Sequence, residues 1–336
     1  MVIPDEAEGG TVAVLEWQAW QGFLLAHVLG EHAVRIETDP FREFPAEQFD
    51  RICDSATTVC FQINLSVRSR LPLGIRELTN RFEERGVHVV NGLVQDIRKS
   101  TLHAHLEAIG LPSPKASPSG SADEVLFVKT ALNYGGDLER WLSPENISAA
   151  GFEHLISPDM KAYGYTMVNR GMLDADIWTD PAIVVEKYIT NAEDSFYRVY
   201  FSGKQVIIVK AFAPRVIKKL SGDPRDTNFV TDLEHLKAGT DQLPISATLK
   251  RDVATFVEKT PVEFGCLDIV HDGHDRHYII DLNLTPYAGT KEGDVFLNSF
   301  LREGIMDPSR RKRSDFVNSP LAADHLTSSP VGSGSR

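Results

Sequence analysis

FGCLDIVHDGHDRHYIIDLNLTPYAG, residues 264–289, is the stretch that decides the fold. Its apolar runs at 265–270 and 277–282, separated by a polar turn at 272–276, predict a β-hairpin. Asp281 and Asn283 are two apart and so share one face of a strand, and a hairpin can bring Asp268 beside them. Oxygen donors converging in this way suit Mg²⁺, a hard cation that favours carboxylates together with bound phosphate. The same pattern also fits a surface hairpin with solvated acids. The rest of the chain has to separate the two.

The 336 residues are enough for about two or three packed units with a substantial core. Hydrophobic residues make up 42% and charged residues 24%, which places the chain among soluble globular proteins. A net charge of −12 argues against DNA or RNA as the main partner, while leaving room for a local basic pocket. Cys53, Cys60 and Cys266 are odd in number and form no CxxC pair. That argues against a disulfide framework or a zinc site and predicts buried free thiols. The acidic, polar start MVIPDEAEGG is unlike a signal peptide. The apolar runs fall far short of the roughly 18 residues that span a bilayer. The expected setting is cytoplasmic and reducing, with no membrane partner.

Working upstream, apolar segments at 11–16, 34–37, 49–53, 59–64 and 87–91 read as strands, and 19–29 and 73–84 as helices. Their alternation predicts a doubly wound, mostly parallel sheet over about the first 90 residues. No GxGxxG follows the first strand, so a dinucleotide fold of the usual kind is excluded. Asn64, at a strand end, fits either a loop cap or a residue reaching a substrate cleft. Residues 96–109 predict a helix stopped by Gly110 and Pro112, with Lys99 in its first turn. Beyond a polar break at 117–123 comes a strand at 125–128, with Lys129 at its exit and a turn at 133–137 containing Gly135 and Gly136. Backbone N–H groups in such a turn can close on phosphates, and a lysine can add a point charge.

Residues 143–180 predict short helices and a loop. A β-branched strand follows at 183–189, and then a hairpin at 195–201 and 204–212. Arg215, Lys218, Lys219 and Arg225 form a basic segment ending at Asn228. A helix is expected at 244–259, its proline tolerated in the first turn, and another at 296–304. Residues 317–336 are expected to be disordered. His271, His274 and His277 read as loop chemistry.

In this order and spacing, the sequence resembles the ATP-grasp superfamily over about residues 91–301. The fold class expected is α/β: an N-terminal doubly wound α/β domain followed by a two-part ATP-grasp fold (α+β). The expected divisions are a substrate-side domain at 1–92, a small lid subdomain with its linker helix at 93–187, a catalytic subdomain at 188–316 and the tail. Asp96 to Lys99, followed by Gly110 to Pro114, is similar to the segment whose lysine touches ATP phosphate. The resemblance therefore implies that role for Lys99, with Arg98 as its competitor. It implies a second phosphate lysine at Lys129, where Thr130 replaces the usual proline, and a reduced glycine lid at Gly135 and Gly136. Glu186, Lys187, Tyr188 and Ile189 resemble the hinge that reads adenine; a strand edge would offer backbone groups to the base, and apolar side chains its walls.

Glu193 resembles the ribose-binding carboxylate of D-alanine–D-alanine ligases, with Asp194 beside it as a competitor. Arg198 falls where ribosomal-protein glutamate ligases carry an arginine, and Asn228 resembles an asparagine of their phosphate-side loop. Asp268, Asp281 and Asn283 match the metal pattern, with Asp281 in place of the usual glutamate. The usual Pro-Gly that follows is Pro286-Tyr287, with Gly289 only later.

What the resemblance implies is an ATP-dependent, ADP-forming carboxylate–amine ligase that works through an acylphosphate. Arg198 and Lys129 would be its catalytic cations. ATP and Mg²⁺, or Mn²⁺ in its place, are the expected cofactors. The partners would be a small-molecule carboxylate and an amine, or a peptide, and a homodimer stays open. Two other readings fit the departures: an ATP-binding regulatory module without ligase activity, and a kinase on the same scaffold.

Overall fold

The structure is a computed structural model, and it describes residues 11–17, 23–156, 165–191, 193–212, 226–287, 295–307, 316 and 318–323. The first unit runs β1 (Val12–Glu16), α1 (Leu24–Leu29), β2 (Ala33–Glu37), α2 (Ala46–Ser55), β3 (Thr58–Gln62), α3 (Ile75–Glu84) and β4 (His88–Val90). Its sheet has the order β2-β1-β3-β4 with every pair parallel. Side-chain alternation explains the layering. Val12, Val14, Cys60 and Val90 pack with Leu25 and Val28 of α1. Ala13, Leu15, Val59 and Val89 pack instead with Ile52 of α2 and Phe82 of α3. Helices therefore cover both faces, as a doubly wound sheet requires. The strand expected at 49–53 is helix α2. Phe49 and Ile52, three apart, are buried on one side, and acidic and polar residues occupy the other; the period is helical, and five residues are too few to reveal it.

The middle of the chain holds α4 (Lys99–Ile109), β5 (Val125–Thr130), α5 (Asp137–Arg140), α6 (Pro144–Ala150), β6 (Thr166–Asn169) and β7 (Ile183–Lys187). The three strands form an antiparallel sheet in the order β6-β5-β7. Helix α4 starts three residues later than its pattern suggests. Asp96 stays outside, and its carboxylate accepts the Arg98 N–H at 2.8 Å and the Thr101 hydroxyl at 2.8 Å, which fixes the helix start at Lys99. β6 was not legible within 143–180, being four residues of half-exposed sheet edge.

The last part holds β8 (Ser195–Ser202), β9 (Gln205–Phe212), β10 (Thr227–Asp232), α7 (Leu233–Ala238), α8 (Ala247–Lys259), β11 (Phe264–His271), β12 (His277–Asn283) and α9 (Val295–Met306). The strands build one antiparallel sheet in the order β10-β9-β8-β11-β12. Val199, Leu267 and Leu282 face α4 and α8 through a buried apolar layer with Leu102 and Phe256. By alternation the opposite face carries Arg198, Asp268, Asp281 and Asn283. One end of that face is closed by α9 and α1, through Ile207, Phe264, Leu301 and Leu25. The approach of α9 is close: a Cβ on Gly304 would lie 1.9 Å from the Ser202 carbonyl oxygen.

Helix α8 starts beyond Pro244, because Ser246 caps it by accepting the N–H groups of Thr248 and Leu249. β10 and α7 were not anticipated; the strand is an edge strand with no buried residue to mark it. The basic residues Arg215, Lys218, Lys219 and Arg225 lie outside the described residues.

Two polar devices hold the units together. Asn91, at φ 58°, leaves β4 in a left-handed turn, and its side chain acts as a strand partner. Its oxygen accepts the N–H groups of Glu263 and Phe264, and its nitrogen donates to the Phe264 carbonyl at 2.7 Å. At the other end, Leu321 is fully buried beneath α4, and its carbonyl accepts the Gln95 N–H at 2.8 Å. Residues 318–323 are thus packed, against the expectation of a disordered tail. Leu321 is an isolated anchor in a polar segment and gives no periodic signal.

Candidate active site

The site lies between the β6-β5-β7 sheet and the polar face of the five-stranded sheet. The hairpin anticipated from the sequence is β11 with β12. Asp268 and Asp281 stand directly opposite each other across it, and Asn283 follows two residues on, opposite Cys266. A β-bulge interrupts the register after Asp268, because Ile269 pairs with Ile279 and leaves Ile280 as the extra residue. The bulge turns the Ile280 carbonyl out of the ladder, and it accepts a hydrogen bond from the Lys129 ammonium at 3.2 Å.

Three cations meet three carboxylates here. Lys129, 1% exposed, lies 2.8 Å from Glu186, whose other oxygen is 2.9 Å from His103 Nε2. Burial opposes ionisation of Glu186, but the Lys129 ammonium and His103 outweigh it and hold the carboxyl below its ordinary value. Lys99, fully buried, lies 3.9 Å from Asp281 and donates to the Leu132 carbonyl at 2.5 Å. Arg198 Nε donates to Asp268 at 2.9 Å. Burial works against the charge of Arg198, but the Asp268 carboxylate prevails and raises its already high pKa.

The glycine turn is tied to the start of α4 and to the five-stranded sheet. The Lys99 N–H donates to the Ala131 carbonyl at 2.8 Å, and the Asn133 side chain donates to the Leu282 carbonyl of β12 at 2.7 Å. Tyr134, Gly135 and Gly136 all have positive φ, 52°, 70° and 70°. Glycine tolerates this at the last two positions; for Tyr134 it is a strained conformation, which often marks a functional loop.

Several expected residues are placed differently from their anticipated roles. The Glu186 side chain is turned inward on Lys129 and His103 rather than toward a base-binding edge. The hinge backbone is also partly occupied: the Lys187 N–H donates to the Pro114 carbonyl and the Tyr188 N–H to the Val125 carbonyl. Ile189 packs beside an apolar shelf of Phe196, Ala211 and Val270 with Tyr278 and Ile280. Glu193 is exposed, and its carboxylate accepts from Lys210 at 3.0 Å, which lowers its pKa. Asn228 is an exposed residue of β10. Arg98 is held by the Asp96 carboxylate at 2.7 Å, whereas Lys99 reaches the site.

Sequence reading missed His103 and Asn133. His103 had one usable signal: it lies one helical turn after Lys99 on the buried side of α4, where an apolar residue would otherwise be expected.

Asp268, Asp281 and Asn283 fit a hard divalent cation. They are oxygen donors on one face of a rigid hairpin, two of them facing each other across adjacent strands. No cluster of three or more His, Cys, Asp or Glu side chains suited to a metal occurs among the described residues; the candidate ligands here are two aspartates and an asparagine. Next to Asn283 opens a cavity of about 670 Å³, bordered by the ends of β1 and β3, by the glycine turn and by Thr285 and Tyr287. Asn64 lines it. No helix among the described residues is long and apolar enough to cross a membrane.

No family model matches the chain, and no curated protein matches it. Solved structures do. Several of them are described as ATP-grasp proteins or ligases. A RimK-domain ATP-grasp protein from Sphaerobacter thermophilus is 14% identical, with 88% of this chain and 100% of that one covered and a TM-score of 0.44. The ATP-grasp ligase PsnB, solved with a phosphomimetic variant of its minimal precursor, Mg and ADP, is 15% identical, with 90% and 99% covered and a TM-score of 0.49. N5-carboxyaminoimidazole synthetase from Staphylococcus aureus is 10% identical, with 91% and 79% covered and a TM-score of 0.48. These are distant likenesses.

Proposed function

We propose that the chain is an ATP-dependent carboxylate–amine ligase of the ATP-grasp type. The observation that carries this reading is the cluster of three acid–base pairs, Lys129 with Glu186, Lys99 with Asp281 and Arg198 with Asp268, gathered between two sheets. Buried charge of this density is costly and is a mark of functional sites. In this reading residues 1–92 form the substrate side, 93–187 the lid and 188–316 the catalytic subdomain. Lys99 and Lys129 hold the nucleotide phosphates, and the N–H groups of the Gly135–Gly136 turn close over them. The base lies on the apolar shelf near Ile189. With two hinge N–H groups already engaged, carbonyl groups and shape carry more of its recognition. Glu186 orients Lys129 instead of touching nucleotide. Glu193 has to exchange Lys210 for a ribose if it is to act there.

Asp268, Asp281 and Asn283 would hold Mg²⁺, which when bound neutralises phosphate charge. A carboxylate oxygen of the substrate attacks the γ-phosphorus, the bond to ADP breaks, and an acylphosphate results. The amine nitrogen then attacks the acyl carbon, phosphate leaves, and the amine gives up a proton. Arg198, paired with Asp268 in the unliganded site, would turn to the negative charge that develops on the phosphoryl and acyl oxygens once that carboxylate holds the metal. Its role is electrostatic.

The deciding experiment measures ADP and phosphate release with Mg²⁺-ATP across paired carboxylates and amines. Phosphate release that requires both substrates supports the ligase. A stable phosphorylated product would replace it with a kinase. Nucleotide binding without turnover under every mixture would replace it with a binding module.

A further inference from the structure

The cavity beside Asn283 has walls of an unusual kind. Trp17, Phe23, Tyr134, Trp141 and Tyr287 all line it. Three of them are strongly exposed, Trp141 at 86%, Tyr134 at 58% and Tyr287 at 47%. Exposed aromatic rings gathered on one cavity mark a surface that gains by being covered. The rings come from separate parts of the fold. Trp17 follows β1, Tyr134 stands in the strained glycine turn, and Tyr287 occupies the position where the resemblance leads one to expect glycine. Tyr287 is held in place: the Leu24 N–H donates to the Pro286 carbonyl at 2.8 Å, and the Phe23 and Tyr287 rings meet edge to face at 6.3 Å.

The location is equally informative. In the order β2-β1-β3-β4 the connections diverge between β1 and β3, and Trp17 and Asn64 follow the carboxyl ends of those two strands. That crevice is where open α/β sheets receive ligands. The charge inventory then narrows the ligand. Among the described residues no lysine or arginine lines the cavity. Asp137 is the one charged group that does, and it is ion-paired with Arg140. Among the described residues, a second carboxylate on the substrate would find no cation in return for the water it loses. A ring or branched aliphatic group would cover the aromatic walls, and Asn64 and Asn146 can take a polar substituent.

We propose that the carboxylate substrate phosphorylated at this site carries an aromatic or bulky aliphatic body, seated in this cavity, and no second acidic group. The inference rests on the ligase reading, because that reading places the reacting carboxylate next to Asn283 and leaves the cavity for the rest of the molecule. Tyr287 in place of glycine is then a specificity residue, replacing open space with an aromatic wall.

The test uses the full chain with Mg²⁺-ATP and hydroxylamine in place of the unknown amine. Hydroxylamine nitrogen attacks the acylphosphate carbon, phosphate leaves, and a hydroxamate is read directly. The donors are 3-phenylpropionate and 4-methylpentanoate against glutarate and acetate. Hydroxamate from the first two, at least about tenfold faster than from glutarate, is the expected result. The Trp141→Ala variant should raise KM for 3-phenylpropionate by about tenfold with little change in kcat. Trp141 is almost fully solvent-exposed, so this variant should fold normally. Calorimetric binding of 3-phenylpropionate and of glutarate, with and without Mg²⁺-ADP, separates the two levels of the argument. Binding of phenylpropionate alone, with no hydroxamate from any donor, keeps the cavity assignment and removes the ligase reading. Hydroxamate from glutarate or acetate at equal or greater rates, or no preference in binding, overturns the proposal while leaving the ligase in place.

Discussion

Replacing Glu186 by glutamine tests how the buried cluster is held. Glu186 is 2% exposed and receives Lys129 at 2.8 Å and His103 at 2.9 Å. At an effective dielectric of about 20, two unit charges at that separation attract by roughly 6 kcal/mol before desolvation is counted. Removing one member of a buried pair costs about 3–5 kcal/mol, because the remaining charge stays buried. Glutamine keeps the shape and one acceptor, which puts Glu186→Gln near the lower end, about 3 kcal/mol. For a chain of 336 residues that corresponds to a fall in Tm of roughly 4 °C.

If Lys129 meets phosphate, bound nucleotide restores the missing counter-charge. Melting curves with and without saturating Mg²⁺-ADP should then show the gap between the variant and the native protein closing by half or more. The pH dependence has a definite sign. The carboxyl of Glu186 is held below its ordinary value, so its contribution is complete above the unfolded glutamate pKa of about 4.3 and is lost as pH falls through the depressed folded value. The gap should be flat from about pH 6 to 8 and narrow only below about pH 4. A gap that is equally wide with and without nucleotide would refute the placement of Lys129 on phosphate. No gap at all would refute the stabilising pair itself.

The other expectations concern neighbouring groups. Lys129→Ala should weaken ATP binding far more than Lys115→Ala, since Lys115 is a surface residue beside Glu107; equal affinities by calorimetry would remove Lys129 from the site. Asp281→Asn and Asn283→Ala should each abolish Mg²⁺-dependent turnover while leaving circular dichroism nearly unchanged; Asp281→Asn should also lower the melting temperature, because buried Lys99 loses its counter-charge, and full activity in both would end the metal assignment. His105 is buried against Phe256 and Ser319, and burial pushes its pKa down to about 4. Between about pH 6.5 and 4 the unfolded chain binds a proton that the folded chain does not. Stability should therefore fall with pH in that window, by up to roughly 3 kcal/mol, and His105→Leu should remove about one proton from the slope.

Legibility in the sequence followed physical period and strand burial. The β11–β12 hairpin could be read because its strands are almost wholly buried and its turn is polar. The parallel sheet could be read because buried runs alternate with helical stretches. Segment 49–53 misled because four or five apolar-rich residues fit a buried strand as well as one helical turn. β10 and β6 are edge strands with mixed burial and leave little pattern. Within the site, Lys99, Lys129, Arg198, Asp268, Asp281 and Asn283 were all singled out from sequence, and the structure brings them together. Their partners could not be singled out: His103 is one histidine among eleven, and the outward turn of the Ile280 carbonyl depends on a bulge that no residue type announces. The aromatic cavity was invisible because Trp17, Tyr134, Trp141 and Tyr287 are scattered through the chain and only folding gathers them.

The pairing within the cluster bears on how a nucleotide would enter it. Three cations and three carboxylates leave the site close to neutral, and buried ion pairs add little stability that an apolar core of the same volume would not supply. Their presence is better explained as an arrangement ready for exchange. A nucleotide arriving alone would meet Lys99 and Arg198 with their charge already matched by Asp281 and Asp268, and would add uncompensated negative charge. A divalent cation arriving alone would displace those same two cations from their carboxylates and leave them buried without counter-ions. Arriving together, metal takes the carboxylates and phosphates take the released cations, so far less charge is left unmatched, while Lys129, kept in place by Glu186, adds its own charge toward the phosphates. On this argument metal and nucleotide should bind with strong mutual cooperativity.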